Sequence, residues 1–167
     1  PVNVLSIFST FEVDEIILLD IGAARRREPT SPPLLAKLAE ECFVPLAYGG
    51  GLRRLDDIDR VFSIGYEKVV LNSVLADDPD LVTRAADVHG SQAIVASIDV
   101  RGDMPNQWRV HTRGASADTG SDPVTWARRA ESLGVGEILI TSVDREGTME
   151  GFDLPLINAV ARAVGVP

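Results

Sequence analysis

Apolar, strand-like runs in this chain end repeatedly in residues that can handle protons or phosphate. Ala93-Ile-Val-Ala-Ser-Ile-Asp99 closes on a carboxylate. An acid at the end of a buried run is partly desolvated, so its proton affinity rises toward values useful for general acid–base work. A helix cap or a loop-fixing Asp is the ordinary alternative. Asp20 closes Glu15-Ile-Ile-Leu-Leu-Asp20 in the same way and reads equally as catalytic, substrate-touching or structural. Tyr48-Gly-Gly-Gly51 also follows an apolar run. Gly50 and Gly51 allow backbone amides to close on a phosphate, whereas a plain tight turn would not require three glycines at such a cost in chain entropy. Asn72-Ser73, after Lys68-Val-Val-Leu71, offers an amide and a hydroxyl to the same oxyanion. In Glu137-Ile-Leu-Ile-Thr-Ser-Val-Asp-Arg-Glu-Gly-Thr148, an apolar strand runs into Thr141, and Asp144 follows it before a Gly147 turn. They either touch a substrate or tie down their own loop. Such strand ends, leading through Gly turns to helix N-termini, are what phosphate-handling β/α enzymes place above a sheet.

Composition narrows the function classes. The 167 residues can bury one sizeable core, and 45% hydrophobic with 25% charged residues is ordinary for a globular domain. A net charge of -9 argues against nucleic acid or an anionic membrane as the main partner. A phosphorylated small molecule remains compatible, since amides bind phosphate without Lys or Arg. Cys42 is the only cysteine, which rules out an intramolecular disulfide and fits a reducing cytoplasm. No apolar run approaches a membrane span of about 18 residues. His89 and His111 have no neighbours at metal-ligand spacing and receive no role; Trp108 and Trp126 read as packing residues.

The elements that must position these groups alternate. Strands are predicted at Glu15–Asp20, Pro45–Tyr48, Lys68–Leu71, Ala93–Asp99 and Glu137–Ser142, each apolar on both faces as buried parallel strands are. Helices are predicted at Val2–Phe11, Ser31–Glu41, Leu55–Ile64, Pro79–Val88, Pro123–Leu133 and Leu154–Ala163. Asp78-Pro79 and Asp122-Pro123 supply a capping carboxylate followed by Pro at the first turn. Gly65, Gly90 and Gly134 stand near helix ends, where a left-handed residue is wanted. Gln107-Trp-Arg-Val-His-Thr112, between turn-like Met104-Pro-Asn106 and Arg113-Gly114, reads as a small hairpin inserted after the Asp99 strand. No linker divides the chain, so residues 1–167 are expected to form a single domain.

This α/β alternation suits a (β/α)8 barrel or an open doubly wound sheet. Glu15-Ile-Ile-Leu-Leu-Asp-Ile21 aligns with Glu137-Ile-Leu-Ile-Thr-Ser-Val143, four units apart, as in a barrel of two duplicated halves. A full barrel needs about 250 residues. The chain opens on Pro1, and Val166-Pro167 leads toward what reads as another strand. Five strands of eight, about two thirds of a barrel with pieces missing at both ends, is the expectation. Glu15, Lys68 and Glu137 begin their strands at the opposite face from Asp99. They are solvated charges or an ion-paired ring plugging the barrel floor.

At these residues the chain resembles the cyclase subunit of imidazole glycerol phosphate synthase, a histidine-pathway (β/α) barrel. The matching stretches are Asp14–Ile21, Tyr48–Leu52, Glu67–Ser73, Gly90–Asp99 and Gly136–Thr148. The resemblance implies a lyase-type cyclase. It combines ammonia with a phosphoribulosyl-formimino aminoimidazole carboxamide nucleotide, giving imidazole glycerol phosphate and aminoimidazole carboxamide ribotide. Asp99 matches one of two acid–base aspartates, the other belonging to a first strand not seen here. Gly50, Gly51, Asn72 and Ser73 match one phosphate site, and Asp144 and Glu146 match the substrate cleft. Glu15, Lys68 and Glu137 match three of four residues gating ammonia from a glutaminase subunit docked at the barrel floor. No cofactor and no metal are implied, and the 167-residue chain alone is expected to be inactive.

There are departures. Glu146 stands where the histidine enzymes usually carry Asp. Tyr48 beside the glycines, and Asp122-Pro-Val-Thr-Trp126, look closer to a paralogous branch that supplies ammonia for sugar amidination in surface-polysaccharide biosynthesis. The related isomerase of the histidine pathway is a further alternative. The Glu15, Lys68, Glu137 pattern and Asp20-Ile-Gly22 speak against it. An inactive binding partner of the glutaminase is the non-enzymatic reading.

Overall fold

A computed structural model describes residues 2–11, 13–23, 29, 31–102, 104 and 107–167. Its contacts divide the chain into two compact units, Pro1–Val70 and Leu71–Pro167.

The first unit runs α1 (Val2–Thr10), β1 (Ile16–Leu19), α2 (Pro32–Glu40), β2 (Leu46–Gly49), α3 (Leu55–Ile64) and β3 (Lys68–Leu71), whose last residue opens the second unit. Both strand pairs are parallel, and Ile17, Ala47 and Lys68 stand in one cross-strand row. All four β2 residues are buried, as the all-apolar run requires of a central parallel strand. Helix α3 buries Ile58 and Val61, one turn apart, and stops at Gly65, whose φ of 113° few residues with a Cβ adopt. Tyr66 is 3% exposed because its polar end is satisfied: the hydroxyl donates to the Leu35 carbonyl at 3.1 Å. Its ring meets Tyr48 edge-on, centroids 6.0 Å apart. Burial pushes the Tyr66 phenol up to about 12.

The second unit contains α4 (Val74–Asp77), α5 (Pro79–His89), a 3-10 turn, β4 (Ile94–Arg101), β5 (Arg109–Thr112), β6 (Ala117–Asp118), α6 (Pro123–Ser132), β7 (Glu137–Ser142) and α7 (Leu154–Ala161). Strand β4 is central, parallel to β7 and antiparallel to β5, which pairs with β6. Asp78 and Asp122 cap α5 and α6 as expected, accepting from the amides of Leu81 and Thr125. Asp153 does the same for α7, a cap the sequence reading passed over. The Ile138 amide donates to the Pro167 carbonyl at 2.9 Å, so the last residue lies against the outer edge of β7.

Two expectations are corrected. Strand β4 does not end at Asp99 but runs two residues further, because β5 supplies ladder partners for Asp99, Val100 and Arg101. The hairpin insert expected after the Asp99 strand is present as antiparallel β5 and β6, but its bounds shift, since Gln107–Thr112 contributes only β5. Of the turn expected at Met104-Pro-Asn106, Pro105 and Asn106 lie outside the described residues.

Candidate functional site

In the second unit, strand register gathers several of the predicted site residues. Asp99 on β4 stands directly opposite Thr141 on β7 and His111 on β5. Directly paired residues share a sheet face, so these three side chains form one row. Ser97, two residues before Asp99 and therefore on the same face, donates its hydroxyl to Asp99 Oδ1 at 3.5 Å. Asn72 follows β3 and holds the Ser97 carbonyl through Nδ2 at 3.1 Å. Ser73 donates to Asn72 Oδ1 at 3.4 Å and accepts the Arg113 amide at 3.1 Å. Asn72-Ser73, nominated for an anion, is thus also a strut between β4 and the β5–β6 turn.

Opposing influences act on Asp99. Desolvation is the largest and raises its carboxyl above the ordinary range. Hydrogen bonds from Ser97 and Asn72, then the charge of His111, pull the other way. A carboxyl so balanced can exchange a proton with a bound molecule, the property required of a general acid or base.

Asp144 is exposed and accepts the Gly102 amide at 2.9 Å, tying the loop after β7 to the end of β4. Glu146 is exposed and lines a cleft with Thr141, Ser142, Arg145 and Phe152. Arg145 reaches from this cleft to the buried Asp153 at 3.9 Å.

In the first unit, Asp20 lies just beyond β1 and uses Oδ1 to accept the amides of Gly22 and Ala23 at 3.0 and 3.1 Å, an Asx-type turn. The glycine run follows β2 directly. A Cβ on Gly49 would lie 2.8 Å from both Leu19 Cδ2 and Val70 Cβ, and one on Gly50 would lie 2.8 Å from Asp20 Cβ. Gly50 and Gly51 also have φ of 141° and 68°. Close backbone approach therefore demands glycine here whatever the loop binds. Tyr48 braces the loop, its hydroxyl donating to the Gly50 carbonyl at 2.9 Å.

At the amino ends of the first unit's strands, Lys68 Nζ meets Glu15 Oε2 at 2.8 Å, with each side chain about a quarter exposed. Between them in the sheet stands Ala47, small enough for Lys68 to reach over β2. Glu137 begins β7 in the second unit, half-buried and on the same strand face as Thr141.

His111 is the site residue that sequence reasoning missed. Its placement follows from the β4–β5 register, which no local motif announced. Among the described residues no group of His, Cys, Asp and Glu is arranged to hold a metal ion, and no helix is long and apolar enough to cross a membrane.

The sequence matches the family described as histidine biosynthesis protein over residues 1–167. Among curated proteins, imidazole glycerol phosphate synthase subunit HisF of Endomicrobium trichonymphae is 40% identical over 167 residues, all of this chain and 64% of that protein. A Pseudomonas aeruginosa protein, provisionally named imidazole glycerol phosphate synthase subunit hisF2, is 42% identical over the whole chain and 66% of its own length. The chain thus spans just under two thirds of these relatives. The family's fold is the (β/α)8 barrel, and the parallel strands and helices alternating in each unit are what that fold requires. By its full-length match and these identities, the chain belongs to the histidine biosynthesis protein family.

Proposed function

We propose that the gene product carrying this chain is the cyclase subunit of imidazole glycerol phosphate synthase, working in the cytoplasm. It uses ammonia released by a glutaminase subunit to convert the phosphoribulosyl-formimino nucleotide to imidazole glycerol phosphate and aminoimidazole carboxamide ribotide. The observation that carries this reading is Asp99: half-buried, pushed up by desolvation, and hydrogen-bonded within a polar row on the carboxyl-terminal side of β4. Asp99 serves as one acid–base group. By the family resemblance, Gly50 and Gly51 in the first unit and Asn72 and Ser73 in the second are each assigned to phosphate binding, Asp144 and Glu146 to the substrate cleft, and Asp20 and Thr141 to substrate contact. Glu15, Lys68 and Glu137 belong to the gate on the glutaminase side; the Glu15–Lys68 ion pair supports this role.

Glu146 favours a second reading, the paralogous subunit supplying ammonia for sugar amidination, because its extra methylene displaces a cleft carboxylate by about 1.5 Å. Ammonium-dependent turnover of the nucleotide by the gene product separates the two. Turnover that is lost in Asp99→Asn establishes the cyclase. Absence of turnover, with complementation of a polysaccharide defect, establishes the paralogue.

A further inference from the structure

The glycine loop after β2 is held from two sides, and the two bonds set which way its amides point. The Asp20 amide donates to the Gly49 carbonyl at 2.7 Å, and the Tyr48 hydroxyl donates to the Gly50 carbonyl at 2.9 Å. No peptide bond among the described residues is cis. In a planar trans peptide the carbonyl and the following N–H point opposite ways. Holding the Gly50 carbonyl against Tyr48 therefore turns the Gly51 N–H away from that ring. The Gly51 amide donates to no acceptor among the described residues. An N–H presented in this way can meet an oxyanion without the loop first rearranging.

Tyr48 is itself fixed from behind. It is buried and pairs in register with Leu18 and Val69, on the face opposite Ala47 and Gly49. Its ring meets that of Tyr66 edge-on, and the Tyr66 hydroxyl donates to the Leu35 carbonyl of α2. A line of contacts thus runs from α2 through both rings to Gly50. The two hydroxyls hold different things: Tyr66 ties a helix to the sheet, whereas Tyr48 ties the turn that carries the glycines. Phenylalanine would fill the Tyr48 site with the same ring, so packing alone does not call for the hydroxyl. The fit at the loop is close, since a Cβ on Gly50 would lie 3.2 Å from the Tyr48 oxygen.

We propose that Tyr48 is a positioning residue for phosphate binding: its hydroxyl fixes the Gly50–Gly51 peptide so that the Gly51 amide is already turned toward an incoming phosphate oxygen. Tyr48 does not touch the phosphate. It removes the ordering that an unbraced glycine loop would undergo on binding. This inference rests on the phosphate role given to Gly50 and Gly51 above.

The test uses the full gene product with inorganic phosphate, following the Gly50 and Gly51 amides in proton–nitrogen correlation spectra. Phosphate should shift both resonances in the parent. In Tyr48→Phe the concentration giving half the shift should rise about fivefold, the weight of one hydrogen bond between neutral groups. The Gly50 carbonyl carbon resonance of Tyr48→Phe should move before any phosphate is added, and an unmoved one overturns the proposal. Tyr66→Phe is the control: it loses the Leu35 bond but keeps the one from Tyr48 to Gly50, so Tm should fall with phosphate affinity unchanged. Equal affinity in Tyr48→Phe and the parent overturns the proposal while leaving the loop a phosphate site. A loss in Tyr66→Phe as large as in Tyr48→Phe also overturns it, because any loosening of the core would then suffice. Phosphate that shifts neither glycine in the parent removes the phosphate role itself, and the proposal with it.

Discussion

Two ion pairs of the first unit have nearly the same length and very different burial, which makes their energies separable. Lys68–Glu15 spans 2.8 Å with side chains 23% and 26% exposed, while Arg54–Asp56 spans 3.0 Å at 67% and 73%. Exposed pairs contribute about 0.2–1 kcal/mol, because water screens the attraction and two long side chains lose freedom. Breaking a fully buried pair costs about 3–5 kcal/mol, because a desolvated charge is left behind. At a quarter exposed, Lys68–Glu15 falls between these limits, with an expected coupling of about 1–2 kcal/mol. A double-mutant cycle over Glu15→Gln, Lys68→Met and the pair, by urea unfolding followed in the far ultraviolet, isolates this term. Arg54→Gln with Asp56→Asn is the control and should couple by less than about 0.5 kcal/mol. Raising salt to 1 M shortens the screening length to about 3 Å and should erase the control while leaving most of the Lys68–Glu15 coupling. Equal couplings for the two pairs, or a Lys68–Glu15 term that disappears in salt, would refute the reasoning. Lys68 and Glu15 would then be solvated strand-start charges and poor candidates for a gate.

Asp99→Asn should abolish turnover yet raise stability at pH 7. Burial raises the Asp99 carboxyl, so the stability tied to its protonation is complete below the unfolded value of 3.8 and lost as pH rises through the folded value. The advantage of the Asn variant in Tm should therefore grow from pH 4 to pH 7, and a flat difference would contradict it. Gly49→Ala places a Cβ 2.8 Å from Val70 Cβ and should cost about 1–3 kcal/mol in urea unfolding through overpacking between β1 and β3. Asp153→Ala removes the buried cap of α7 and should cost about 1–2 kcal/mol, with Asp153→Asn recovering most of it.

Much of the architecture was legible because parallel strands and their covering helices announce themselves locally. Lys68–Leu71, Glu137–Ser142 and Leu55–Ile64 fall where the apolar patterns put them. The Asp78 and Asp122 caps follow from one carboxylate and one proline each. Short α4 had no such signal, since four residues carry no period to read.

The side-chain partnerships were less legible. The sequence by itself determined the order and type of the major elements, the polar residues at their ends and the family to which these belong, since each is written in a window of ten or so residues. Only the tertiary structure decided that β4 continues past Asp99, that Asn72 anchors Ser97 rather than only awaiting an anion, and that His111 faces Asp99 with Asp118 behind it. Strand register is set by turn geometry and by which face is buried, and shifting it by one residue moves every side chain to the other face. That information belongs to pairs of strands, and no single strand contains it.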